Sequence, residues 1–142
     1  YDFINQVGGF YPGFFLYGED LELINRGTHY RFKHFLIHNS VVIHDFNYPP
    51  EDKYLRILKE KNIISALFLN PQSKVKDPHM FAIKGLAVSL LFGNLARFGR
   101  ILKGYFGFLL DMSKLKQDKT QLLNNKPFRF LECNYVQNVS KD

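Results

Sequence analysis

The stretch Gly8–Gly27, GGFYPGFFLYGEDLELINRG, decides how the first third of the chain is read. Gly8-Gly9 and Pro12-Gly13 are turn signals that do not suit a helix interior, so irregular backbone is expected from Tyr1 to Tyr17. Leu21, Ile24 and, less regularly, Leu23 then predict a short helix, with Glu19 and Asp20 in its first turn and Gly27 placed to stop it. Two adjacent carboxylates at that point have two explanations. Acids in a first helical turn meet the positive end of the helix dipole, worth about 0.3–1 kcal/mol. Alternatively, the apolar run Phe14–Tyr17 directly before them is the kind of wall that favours a carboxylate acting as a general base. The upstream glycines allow a sugar or phosphate to come close to the backbone.

Working outward, YRFKHFLIH (residues 30–38) alternates, with Tyr30, Phe32 and His34 on one side and Arg31, Lys33 and Phe35 on the other, which is strand periodicity. SVVIH (residues 40–44) is a second β-branched run. Pro49-Pro50 marks a boundary. Glu51-Asp52 follow as a helix start, and Tyr54, Leu55, Leu58, Ile63 and Leu67 continue at helical spacing until Asn70-Pro71. A second helical stretch is expected from Asp77-Pro78 to about Met112, with breaks at its interior glycines, each of which costs about 1 kcal/mol against Ala. Lys114–Lys126 is polar and reads as a loop or frayed end. PFRFLECNYV (residues 127–136) reads as a strand or a packed tail.

Length and composition set the frame. The chain has 142 residues, enough for one ordinary domain, and its 46% hydrophobic content argues against disorder. Charge is divided: residues 1–50 hold Arg26, Arg31 and Lys33 against Asp2, Glu19, Asp20, Glu22 and Asp45, whereas the remainder supplies an excess that brings the total to +6. That asymmetry suggests chemistry or cation binding first and an anion-facing surface second. A single cysteine, Cys133, rules out an internal disulfide. The five histidines show no helical His pair, so none forms a metal site alone; His44, at a strand end, could complete one. A first residue that is Tyr suggests a fragment or processed chain.

GGFYPGFFLYGEDLEL, followed about twenty residues later by VVIH, resembles the C-terminal half of the catalytic domain of family 2 glycosyltransferases, in the rhamnosyl- and galactofuranosyl-transferase-like branch. The resemblance covers about residues 3–48. It implies an α/β fold: the C-terminal part of a GT-A (Rossmann-like) domain over 1–48, then a mainly helical basic extension over 49–142. It also implies a nucleotide-sugar donor, a glycan or lipid-linked acceptor, and a divalent metal, Mn or Mg. Asp20 would be the base that deprotonates the acceptor hydroxyl, and Glu19 would support it. Gly8, Gly9, Phe10 and Tyr17 would line the substrate cleft, and His44 would ligate the metal. The family's Asp-x-Asp is absent here, as are the nucleotide-binding units that precede it. The chain then corresponds to the back half of an enzyme, inactive alone and cytoplasmic or peripheral on the inner face of the membrane.

In the basic part, a helix over Leu86–Leu110 would place Ala87, Leu90, Leu91, Phe98, Leu102, Tyr105 and Leu109 on one face. Ser89, Arg97, Arg100 and Lys103 would lie opposite. Such a stripe suits either an interfacial membrane helix or docking on the rest of the domain, and it is too short in uncharged residues to span a bilayer. No nucleic-acid motif accompanies the basic residues, which argues against nucleic acid as a partner. Beside the transferase reading stands a non-catalytic membrane- or partner-binding domain in which Glu19-Asp20 is a helix cap. An exposed sheet edge would leave the fragment open to self-association.

Overall fold

The computed structural model describes residues 2–14, 16–35, 37–41, 52–70 and 77–124. Among them the chain is helical and contains no strand, which overturns the α/β expectation. The elements are α1 (Asp2–Val7), α2 (Glu19–His29), α3 (Lys53–Leu69), α4 (Pro78–Leu91), α5 (Leu95–Leu110) and α6 (Met112–Leu123). The alternating run from Tyr30 forms a turn at Tyr30-Arg31 and then extended, exposed chain, with Phe35 and Ile37 largely in water. Alternation makes a strand only where a second backbone pairs along it, and among the described residues there is no more than one isolated bridge residue, Gly8. Of the second expected strand, residues 42–44 lie outside the described residues, as does 127–136. The boundary expected at 48/49 falls there too.

Three helices begin with side-chain caps that the sequence supplies. Asp52 accepts from the Tyr54 N–H at 3.1 Å, Asp77 from His79 at 2.8 Å, and Asn94 from Arg97 at 2.9 Å. Each satisfies one of the N–H groups that a helix start leaves without a partner. The long helix expected from Pro78 to Met112 is two helices. The break falls at Phe92-Gly93-Asn94, where Gly93 takes φ +64°, a left-handed conformation that reverses the chain. The other interior glycines do not break α5. A Cβ on Gly104 would stand 2.8 Å from Glu60 Cβ and 2.9 Å from the Lys61 nitrogen, so this glycine lets α3 and α5 touch backbone to backbone.

Helices α3 and α5 run parallel: Lys61 pairs with Asp111 at 2.6 Å, and the Phe68 and Phe108 rings meet edge to face at 5.7 Å. Helix α4 runs back along α5, with His79 Nδ1 and the Tyr105 hydroxyl 2.7 Å apart. Phe108, fully buried, sits where the three meet, and burying such a side chain contributes about 1.5–3 kcal/mol. The polar stretch expected as a loop from Lys114 is instead α6. Its Leu115 and Leu122, two turns apart, enter the core, which outweighs the polarity of their neighbours. Tyr11 and Phe14, from the segment between α1 and α2, join the same core as Ile64, Leu69 and Phe108. Tyr11 also donates to Asp118 of α6 at 2.5 Å.

Two further expectations change. The start of the chain is not all irregular, because α1 buries Val7 and sets Phe3 edge to face with Phe32 at 5.0 Å. Gly27 does not stop α2, which continues to His29; its missing side chain leaves room for Phe3, whose ring an added Cβ would meet at 2.7 Å.

Candidate functional site

The acid pair stands at the mouth of α2, and two buried polar residues fix the chain around it. Arg26, in the last turn of α2, is 2% exposed. Its guanidinium meets Glu22 in a two-pronged pair, Nε to Oε1 at 2.8 Å and Nη2 to Oε2 at 2.7 Å. It also donates to the Gly9 carbonyl at 2.6 Å and to the Val7 carbonyl. One side chain thereby ties the Gly8-Gly9 turn to the helix that carries the acids. Planar five-donor geometry makes Arg, and not Lys, fit such a node. Burial raises the Glu22 carboxyl above its ordinary range, and the hydrogen bond and charge of Arg26 offset that only in part.

The second fixing point is Asn62 of α3, fully buried. Its amide nitrogen donates to the Leu16 and Tyr17 carbonyls at 2.8 and 3.0 Å. Those carbonyls sit just before Tyr17 (φ 65°) and Gly18 (φ 84°), two successive left-handed residues that turn the chain sharply into α2. Left-handed Tyr is uncommon, and a conformation of this kind persists only where its surroundings hold it. Asn62 does so, with the Lys59 ammonium 5.1 Å above the Tyr17 ring.

The two acids have different surroundings. Glu19 is half-buried, and its Oε2 is buried without a hydrogen-bond partner. Asp20 is exposed, and its Oδ1 accepts from the neighbouring Leu21 N–H at 2.7 Å. Neither occupies the cap position, which is Gly18 and has no side chain to offer; the Asp20–Leu21 bond satisfies one first-turn N–H from within the helix. The acids, with Glu22, face the positive end of the helix dipole.

Of the other expected site residues, Gly8 and Gly9 are buried, Phe10 is 61% exposed and Tyr17 is half-buried. His44 lies outside the described residues. Among the described residues no group of three or more His, Cys, Asp or Glu could hold a metal ion, so the divalent ion implied by the resemblance has no donor set there. No helix among them is long and apolar enough to cross a membrane. The residues that organise this site, Arg26 and Asn62, were not expected. The Glu22–Arg26 spacing of four was a readable ion-pair signal, but nothing marked Asn62, whose partners are 45 and 46 residues away.

No family model, curated protein or solved structure matches the chain, so the resemblance rests on the residues quoted for it.

Proposed function

We propose that the chain supplies the acceptor-facing part of an enzyme that transfers a sugar from a nucleotide donor to a hydroxyl of a glycan or lipid-linked acceptor. Donor-binding residues would lie outside these 142. The observation that carries the proposal is the difference between the paired acids: a sharp, clamped turn delivers Asp20 to solvent while Glu19 stays half-buried beside it. A base for an incoming acceptor must be reachable and held in place, and Asp20 meets both needs. In the reaction, Asp20 takes the acceptor hydroxyl proton as that oxygen bonds to the anomeric carbon. The nucleoside diphosphate leaves with the electrons of the broken bond. The proposal carries the motif and its chemistry only; the Rossmann-like sheet is not part of it.

The alternative, a non-catalytic membrane- or partner-binding domain, is favoured by one observation: three acids in the first turn of α2 are what the helix dipole alone would select. Asp20→Asn in the complete protein separates the two. Release of nucleoside diphosphate from a panel of UDP-, GDP- and dTDP-sugars should fall by about 10²–10⁴ if Asp20 is the base. Undiminished release by a folded variant would leave the dipole reading.

A further inference from the structure

The α4–α5 hairpin leaves in water apolar side chains that a folded chain ordinarily buries. Leu91 is 83% exposed, Phe92 82% and Leu95 70%, all within a few residues of the reversal at Gly93. Scattered exposed apolar residues are normal, but a contiguous cluster at a hairpin tip marks an interaction surface.

Charge says what kind. Between Pro78 and Leu110 there is no Asp or Glu, while Lys84, Arg97, Arg100 and Lys103 are all cationic. A cleft of about 540 Å³ opens between the start of α3 and the first half of α5, with Lys53, Arg56, Arg100 and Lys103 around it and Leu95 in its lining. None of Lys53, Arg100 and Lys103 is ion-paired among the described residues. Leu95 belongs to both features, so the cationic cleft and the apolar tip are continuous.

Their spacing matches a lipid interface. At 1.5 Å per residue, Arg100 and Lys103 lie roughly 8 and 12 Å along α5 from Leu95. Interfacial helices bury their apolar face about 5–10 Å into the headgroup boundary. A tip pushed to that depth brings the cations level with the headgroup phosphates.

We propose that the α4–α5 hairpin docks on a bilayer bearing anionic phospholipid, with Leu91, Phe92 and Leu95 entering the acyl boundary and the cleft of Lys53, Arg56, Arg100 and Lys103 holding a headgroup phosphate. A second copy of the chain fits less well, because joining two tips would set one cationic rim against the other. The proposal stands independently of the transferase reading.

The chain has no tryptophan, so Phe92→Trp gives the complete protein, if it too lacks Trp, a single reporter at the tip; other tryptophans, if present, are replaced by Phe. With vesicles of phosphatidylcholine containing about 30% phosphatidylglycerol, its emission should shift to the blue and be quenched by brominated acyl chains, with little change on phosphatidylcholine alone. R100Q/K103Q should weaken co-sedimentation with the anionic vesicles about thirtyfold. L91S/F92S, at exposed positions, should weaken it while leaving circular dichroism unchanged. Three results would overturn the proposal. The first is unshifted emission on vesicles. The second is protection of the cleft lysines by millimolar inorganic phosphate without vesicle binding, which would assign the cleft to a soluble anion. The third is a dimer that L91S/F92S converts to monomer without affecting vesicle binding, which would make the tip a contact between copies.

Discussion

The region before Val41 and the α4–α5 hairpin hold themselves in opposite ways. The first is organised by buried polar groups: Arg26 grips Glu22 and two carbonyls, and Asn62 grips two more. The second is organised by shape, with Gly104 letting backbones meet and Phe108 filling the centre. The first leaves Asp20 in solvent and one Glu19 oxygen without a hydrogen-bond partner, whereas the second leaves its apolar tip in water. A polar clamp fixes a turn to within one hydrogen-bond geometry, which suits a site. A notched apolar pair fixes only how helices lie, which suits a platform.

The largest test of the contrast is at Arg26. Arg26→Met removes one side of a buried pair and leaves Glu22 without its partner, so urea denaturation should show a loss of about 3–5 kcal/mol. Adding Glu22→Leu should recover only the part owed to the orphaned carboxylate, because the Val7 and Gly9 carbonyls still lack the donor that Arg26 supplied. If the single substitution costs less than 1 kcal/mol, the clamp does not hold the turn.

Gly104 and Gly99 sharpen the other half. Gly104→Ala forces Cβ against α3 and should cost about 1–3 kcal/mol. Gly99→Ala meets nothing within 4 Å and should stabilise α5 by about 0.5–1 kcal/mol through helix propensity. Equal effects at the two sites would mean that α3 and α5 are not in backbone contact.

Tyr11 joins the two regions, and its effect should depend on pH. Burial, then the hydrogen bond to Asp118, raises its hydroxyl well above the ordinary tyrosine value. The folded state therefore keeps a proton that the unfolded state gives up as pH rises past about 10. Stability from this group is complete below that pH and is lost above it. Tyr11→Phe should cost about 0.5–1.5 kcal/mol at neutral pH and flatten the alkaline decline. An unchanged alkaline slope would place the decline on other groups.

Much of the helical half was readable because its signals are local. Asp52 and Asp77-Pro78 act within one turn, and each marks α3 or α4 where it occurs. Helix α6 was not readable, since its two core leucines matter only once α3 and Tyr11 are in place beside it. The strand expected at 30–38 failed for the reverse reason. Alternation is local, but pairing is not, and the described chain offers no second strand. At the site, the position of Glu19 and Asp20 in the first turn followed from the turn residues before them. Their unequal exposure did not, because it depends on Asn62 of α3 reaching the Leu16 and Tyr17 carbonyls.

Asp20 carries the functional reading, and the most direct test is the rate of sugar transfer by the complete protein with Asp20→Asn, set beside Glu19→Gln. The account predicts that the asparagine variant loses at least about a hundredfold in rate, with its unfolding midpoint moved by no more than about 0.5 kcal/mol, and that Glu19→Gln loses less. A folded Asp20→Asn protein that transfers sugar at the parent rate would contradict it.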